Sequence, residues 1–356
     1  MLKKIYLYFL FFLYSYPASI SAVVVEDLYT INVSQDIDIC GTGSREEQDT
    51  YKEAMTQLLE RITGLNSQRI ISDQAFISII EEAEKFTLLC GPRLDNETLS
   101  IGFNDELIES ELAFLGIPRW GRERPITLLW FSINTSEDEA EILSAKSLDL
   151  AISDSFRNVQ QQLFEDIQTY SNSRALPVIL PLLDLQDISI ITTDDISNRL
   201  DTIIERASNR YNANYILYAS GYVSEYGRLE AQWYILRNGE SESLSFGTLE
   251  TALNDLSYYY ASRFQIHGDV SEFVVTISDI ESLDDYASAI LYLESINFLE
   301  EVSPIEVGDG NLVLFVRGRG DKYLLDNILS LDNYLVKSTS NEESNEEDKL
   351  FFRLNR

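Results

Sequence analysis

Asp184 and Asp187 stand three residues apart in Pro181-Leu182-Leu183-Asp184-Leu185-Gln186-Asp187, directly behind the extended run Leu176–Leu180. Open α/β sheets place their ligands beyond strand ends, and two carboxylates there could hold a hard cation or divide general-acid and general-base work. The same residue types also close turns and start helices, and no third ligand sits at the spacing of a known metal loop. The structural reading therefore comes first, and no catalytic, cofactor or metal residue is assigned. His267 is the only histidine; it lies beside Gly268 between two patterned regions with no cysteine near it, so it reads as a solvent-facing linker residue and not as part of a triad or zinc site. Gly318-Arg319-Gly320 could offer backbone amides to an anion, but a strand-to-helix turn explains it equally well.

Arg119, Arg122 and Arg124 surround Trp120 and form a cationic cluster in a chain of net charge −32. Guanidinium forks match carboxylates and tryptophan anchors interfaces, so Trp120, Arg122 and Arg124 join Asp184 and Asp187 as candidate interaction residues. The favoured reading is an internal clamp, in which the arginines pair with the protein's own acids across a domain junction and Trp120 is half buried. The overall charge repels phosphate backbones and anionic lipid surfaces, which argues against a nucleic-acid partner.

Lys3 and Lys4 precede an apolar run from Ile5 to Tyr16, followed by Pro17-Ala18-Ser19-Ile20-Ser21-Ala22. That order is the order of a secretory signal, so residues 1–22 read as a signal peptide and the remainder as periplasmic. No later stretch is long enough to cross a bilayer, and no integral span is expected once the signal is removed. Export places the two cysteines, Cys40 and Cys90, in an oxidising compartment, where a disulfide between them is expected.

The elements that must position these residues follow from periodicity. In Pro125–Ile133, Ile126, Leu128 and Trp130 point one way and Leu129, Phe131 and Ile133 the other, so this strand belongs inside a sheet covered on both faces. Before it, residues 23–118 read as an α+β domain: a strand over Val23–Val33, a helix after the Ser44/Glu47 capping box, a helix over Asp73–Glu84, the strand Leu99–Phe103, and a helix closed by Gly116. Residues 119–266 read as a mixed α/β domain with a long amphipathic helix from Ile152 to Tyr170, a helix carrying Ile196 to Ala207, a meander turning at Gly227 and Asn238-Gly239, and the helix Leu249–Phe264. Residues 270–337 follow the βαββαβ order of a ferredoxin-like domain. Residues 338–356 read as a disordered acidic tail, with Leu350-Phe351-Phe352-Arg353 as its frayed end. The fold class is thus α/β (α+β), three small mixed-sheet modules in series.

Four segments carry a resemblance: Asp27-Leu28-Tyr29-Thr30, Gly116-Ile117-Pro118-Arg119-Trp120-Gly121 into Arg124-Pro125, Leu176-Pro177 through Pro181 to Asp187, and Ala207-Ser208-Asn209-Arg210-Tyr211. In this order they resemble an exported gammaproteobacterial family, domain of unknown function 2066, over most of Asp27–Tyr234. The chain departs from that pattern after Asp194-Asp195, where Ile196-Ser197 stand in place of a tryptophan. The element order from Pro125 to Phe264 is also similar to the amino-terminal domain of the periplasmic protein TolB. That family has no established activity; export, small modules in series and the lack of a catalytic set lead to the expectation of an exported non-enzymatic protein that works through contacts with envelope proteins in assembly or maintenance. A carboxylate-dependent hydrolase or cation-binding protein centred on Asp184 and Asp187, and a carrier of small ligands, are the alternatives.

Overall fold

The computed structural model describes residues 22–33, 39–92, 98–134, 140–145, 154–223, 229–268, 270–331, 334–338 and 349–355. The expected signal peptide, apart from Ala22, and the acidic run 339–348 lie outside the described residues. What is described is a mixed α/β protein of several small sheets in series.

The first unit holds β1 (Ala22–Val24), β2 (Thr30–Val33), α1 (Arg45–Thr63), α2 (Ser67–Ile70), α3 (Gln74–Glu81), α4 (Ala83–Phe86), β3 (Thr87–Pro92), β4 (Leu99–Phe103) and α5 (Asp105–Phe114). β2, β4 and β3 form an antiparallel sheet in that order. Tyr51, Met55, Leu58, Leu59 and Ile62 of α1 are buried in one cluster with Ile31, Leu99 and Ile101, as the helical spacing predicts. The expected single strand over Val23–Val33 is instead two, because residues 26–29 turn and their carbonyls are taken by arginine side chains. β3 has no counterpart in the sequence reading: Leu88 and Leu89 both face solvent, so it shows no alternation. It carries Cys90, whose disulfide to Cys40 is formed, with 5.7 Å between the Cα atoms.

Ser44 caps α1 by accepting from the Glu47 amide at 3.1 Å, but the Glu47 carboxylate does not return the bond. It reaches the amides of Gly41 and Gly43 at 2.6 and 2.7 Å and accepts from the Tyr51 hydroxyl at 2.6 Å, pinning the loop that carries Cys40. The Tyr51 bond, and then the Gly41 amide, hold the Glu47 carboxyl below its ordinary value.

The central unit comprises β5 (Arg119–Trp120), β6 (Glu123–Pro125), β7 (Thr127–Asn134), β8 (Glu141–Ile142), α6 (Asp154–Arg174), β9 (Val178–Ile179), α7 (Leu185–Ile188), α8 (Thr193–Ser197), α9 (Asp201–Ser208), β10 (Tyr215–Val223), β11 (Leu229–Arg237), β12 (Glu240–Gly247), α10 (Leu249–Arg263) and β13 (Gln265–Ile266). Its sheet runs β12-β11-β10-β7-β8, with β9 also on β7. β7 is parallel to β10 and β9 and is covered on both faces. Leu129, Phe131 and Ile133 join the cluster under α6 and α10; Leu128 and Trp130 join the one under α8 and α9. The inner strand read from Pro125–Ile133 is therefore present. The helix expected through Ile196–Ala207 is broken between α8 and α9, where Arg199 takes φ 57° and Ile196 still packs inward. Asn238 and Gly239 both have positive φ, as a tight hairpin turn of two residues requires.

The third unit contains β14 (Val270–Ser278), α11 (Leu283–Glu294), β15 (Leu299–Gly308), β16 (Asn311–Arg319), α12 (Lys322–Leu329), β17 (Leu335–Lys337) and β18 (Lys349–Leu354), with sheet order β15-β16-β14-β18-β17. The last element corrects the reading of 338–356 as a disordered tail. β18 lies parallel to β14 and displaces β17 to the edge, so the sheet has one strand more than a ferredoxin-like βαββαβ domain. The physical reason is alternation: Leu350, Phe352 and Leu354 are buried on the core face, each burial contributing roughly 1.5–3 kcal/mol. That gain outweighs the polar composition next to it.

Candidate functional site

The junction around Trp120 is built on the carboxyl end of α1. Its last carbonyls carry the negative end of the helix dipole, which attracts cations. Gly64 ends the helix at φ 71°, and a Cβ there would lie 2.5 Å from the Cβ of Ala261 in α10. Arg124 donates to the Arg61 carbonyl at 3.2 Å and lies 3.4 Å over the Trp120 ring. Arg174 donates to the Leu65 carbonyl at 2.8 Å and pairs with Glu60. Arg61 donates to the carbonyls of Leu28 and Thr30 in the first unit and of Asn172 and Ser173 at the end of α6. Burial pushes its guanidinium down to about 10.

The clamp reading is right for two arginines and wrong in its chemistry for the third. Arg119 pairs with Glu109, which also accepts from the Tyr29 hydroxyl, and Arg122 pairs with Asp105 while donating to the Glu26 carbonyl. Arg124 is fully buried and uses carbonyls and an indole face instead of a carboxylate; its Nε and Nη1 have no hydrogen-bond partner. Burial, then the charge of Arg61, hold it well below the ordinary arginine value. Trp120, expected half buried, is 1% exposed and donates to the Glu123 carbonyl. Neither Trp120 nor Arg124 has surface left for an outside partner. Arg61 and Arg174 were absent from the sequence reading, although each occupies the last turn of a helix, where cations are favoured.

The Asp184/Asp187 loop is closed by the 3-10 turn Asn209–Tyr211. Asp184 caps α7 by accepting from the amides of Gln186 and Asp187, and Arg210 grips it from both Nη atoms at 2.7 and 2.9 Å. Arg210 also reaches Asp187 at 3.2 Å. The other oxygen of Asp187, a fully buried residue, accepts from the Tyr211 hydroxyl, which itself accepts from the Leu182 amide at 2.9 Å. All four carboxylate oxygens are thus engaged, and this is a clasp, not an open ligand set. The Arg210 fork holds Asp184 down at about 2, and burial, then Asp187, pushes Tyr211 up to about 12. Among the described residues no group of three or more His, Cys, Asp or Glu could hold a metal ion.

The clasp makes a prediction with a definite sign. The folded pKa of Asp184 is depressed, so its contribution is complete above the ordinary carboxylate range and is lost only as pH falls through about 2. NMR titration of the carboxyl carbons is expected to find Asp184 still ionised at a pH where surface aspartates are protonated. A midpoint near 4 would dismiss the clasp.

No family model, no curated protein and no solved structure matches the chain. The four segments named in the sequence meet in two separate pairs: Arg122 donates to the Glu26 carbonyl beside Asp27–Thr30, with its guanidinium 5.1 Å from the Tyr29 ring, and Arg210 and Tyr211 hold Asp184 and Asp187. Their contacts are structural ones. His267 is exposed, as expected of a linker residue, and lines a cleft of about 370 Å³ with Glu109, Arg119 and Arg319.

Proposed function

We propose that the chain is an exported, non-enzymatic protein that acts by protein contacts in cell-envelope assembly or maintenance, and that the Asp184 loop is one of its contact surfaces. The observation that carries this reading is the state of that loop. Leu182, Leu185 and Ile188 are 39%, 86% and 57% exposed, although burying each would contribute roughly 1.5–3 kcal/mol. The loop cannot fold them inward, because Arg210 and Tyr211 fix Asp184 and Asp187 between them and Leu183 is held at φ 50°. Apolar side chains held outward on a rigid support suit a contact surface. The resemblance of four segments to an exported family, and a disulfide of the kind that forms in oxidising compartments, support export.

Site-specific photocrosslinking from position 185 in intact envelopes is the test. Discrete adducts are expected that disappear when Leu182 and Ile188 are replaced by serine, with the thermal unfolding profile unchanged. Adducts that survive the double substitution, or none at all, would sink this assignment. Cell fractionation gives the independent arm: retention in the cytoplasm with two alkylatable thiols would remove the premise of export.

A further inference from the structure

The cationic residues around Trp120 are consumed inside the fold, but a second pair is not fully consumed. Arg237 ends β11 and Arg263 ends α10, and both line a cleft of about 360 Å³ together with Tyr323 of α12. This cleft lies where the central and third units meet, and its volume falls in the range of small-molecule sites.

The two arginines differ. Arg263 lies 3.4 Å over the Tyr259 ring and pairs with Glu242, which also accepts from the Tyr259 hydroxyl; its charge is answered. Arg237 donates from Nη1 to the Tyr215 hydroxyl at 2.6 Å and from Nη2 to the Ser330 carbonyl at 3.4 Å. These bonds aim the guanidinium without neutralising it. Among the described residues Arg237 makes no ion pair, not even with Glu240, its cross-strand neighbour at the exposed turn. Each Nη keeps a second proton, so the guanidinium still has donors to give. In the same cleft Tyr323 is 58% exposed and offers an aromatic side chain to a ring.

We propose that this cleft binds a small organic carboxylate carried on a flat ring. The planar carboxylate takes the remaining guanidinium donors of Arg237, and the ring lies against Tyr323. Planarity is the reason for choosing a carboxylate: two oxygens in one plane match two guanidinium protons in one plane. The aromatic side chains supply the apolar wall such pockets need. The proposal stands apart from the Asp184 loop, which shares no residue with the cleft.

Isothermal titration of the full chain with benzoate tests it, with phenol and inorganic phosphate as comparison probes. Saturable binding of benzoate at one site is expected, weakened about tenfold or more in Arg237→Gln and several-fold in Tyr323→Ala. Phenol, which lacks the carboxylate, is expected to bind at least about tenfold more weakly than benzoate. Should Arg237→Gln fail to fold, Tyr323→Ala decides, because that side chain is mostly in solvent. Absence of saturable benzoate binding, equal binding by Tyr323→Ala and wild type, or phosphate binding more tightly than benzoate would each overturn the proposal.

Discussion

Replacing Cys40 and Cys90 together by alanine is expected to destabilise the first unit by about 4 kcal/mol, on the loop-closure argument for a bridge spanning 50 residues. The bridge is the covalent tie between the loop before α1 and the edge strand β3, whose Leu88 and Leu89 face solvent and contribute little burial. After its loss the loop keeps the buried Ile39 side chain and the Glu47 carboxylate on the amides of Gly41 and Gly43. The lowered pKa of Glu47 means that this hold is complete above the ordinary carboxylate value and fades as pH falls through the folded value. The bridge-free protein is therefore also expected to be the more acid-sensitive one. Two probes separate the units in a urea titration. All three tryptophans, Trp120, Trp130 and Trp233, lie in the central unit, so fluorescence follows that unit while far-ultraviolet circular dichroism follows the whole. In the double variant the dichroism transition is expected to begin at lower urea than the fluorescence transition. Unchanged midpoints by both probes would show that the bridge contributes nothing.

The parts of this fold that are legible in the sequence are those where burial imposes a period. β7 reads as an inner strand because residues of both parities are apolar, and α1 and α6 read as helices because their apolar residues recur every three or four positions. β3 and β18 are not legible, for opposite reasons. β3 is held by its ladder and a disulfide with little burial, while β18 is buried but short and sits behind an acidic run. The candidate sites divide in the same way. Asp184 and Asp187 are visible as a pair, yet their meaning depends on Arg210 and Tyr211, more than twenty residues on, as the separations of 26 and 24 show. Nothing in local spacing tells a helix-end arginine that clamps a neighbouring unit from one that lies in water. Arg61, Arg174 and Arg237 therefore become functional candidates only when the chain ends that they reach are in place.

Trp120→Ala is expected to cost about 3–5 kcal/mol, the usual range for a large aromatic removed from a core, and the interest lies in how that cost depends on Arg124. The indole packs against Tyr260 and Phe264 and carries the Arg124 guanidinium over its ring. Without it Arg124 keeps the Arg61 and Trp120 carbonyls as acceptors, but the guanidinium, whose Nε and Nη1 have no hydrogen-bond partner, loses the indole surface against it. Arg124→Met acts in the opposite sense: it discards two carbonyl bonds but also a buried charge with which no carboxylate among the described residues pairs at contact distance. Apolar replacement of buried charges is often close to neutral, so this variant alone is expected to cost less than about 2 kcal/mol. If the stacked pair is a real energetic unit, the cost of Trp120→Ala falls by roughly 1–2 kcal/mol in the Arg124→Met background, the magnitude of a desolvated cation–π contact. Urea unfolding of the four proteins, followed by circular dichroism because the fluorophore itself is being changed, closes the cycle. Additivity to within about 0.5 kcal/mol would mean that Arg124 is held by the Arg61 and Trp120 carbonyls and that the indole merely fills space.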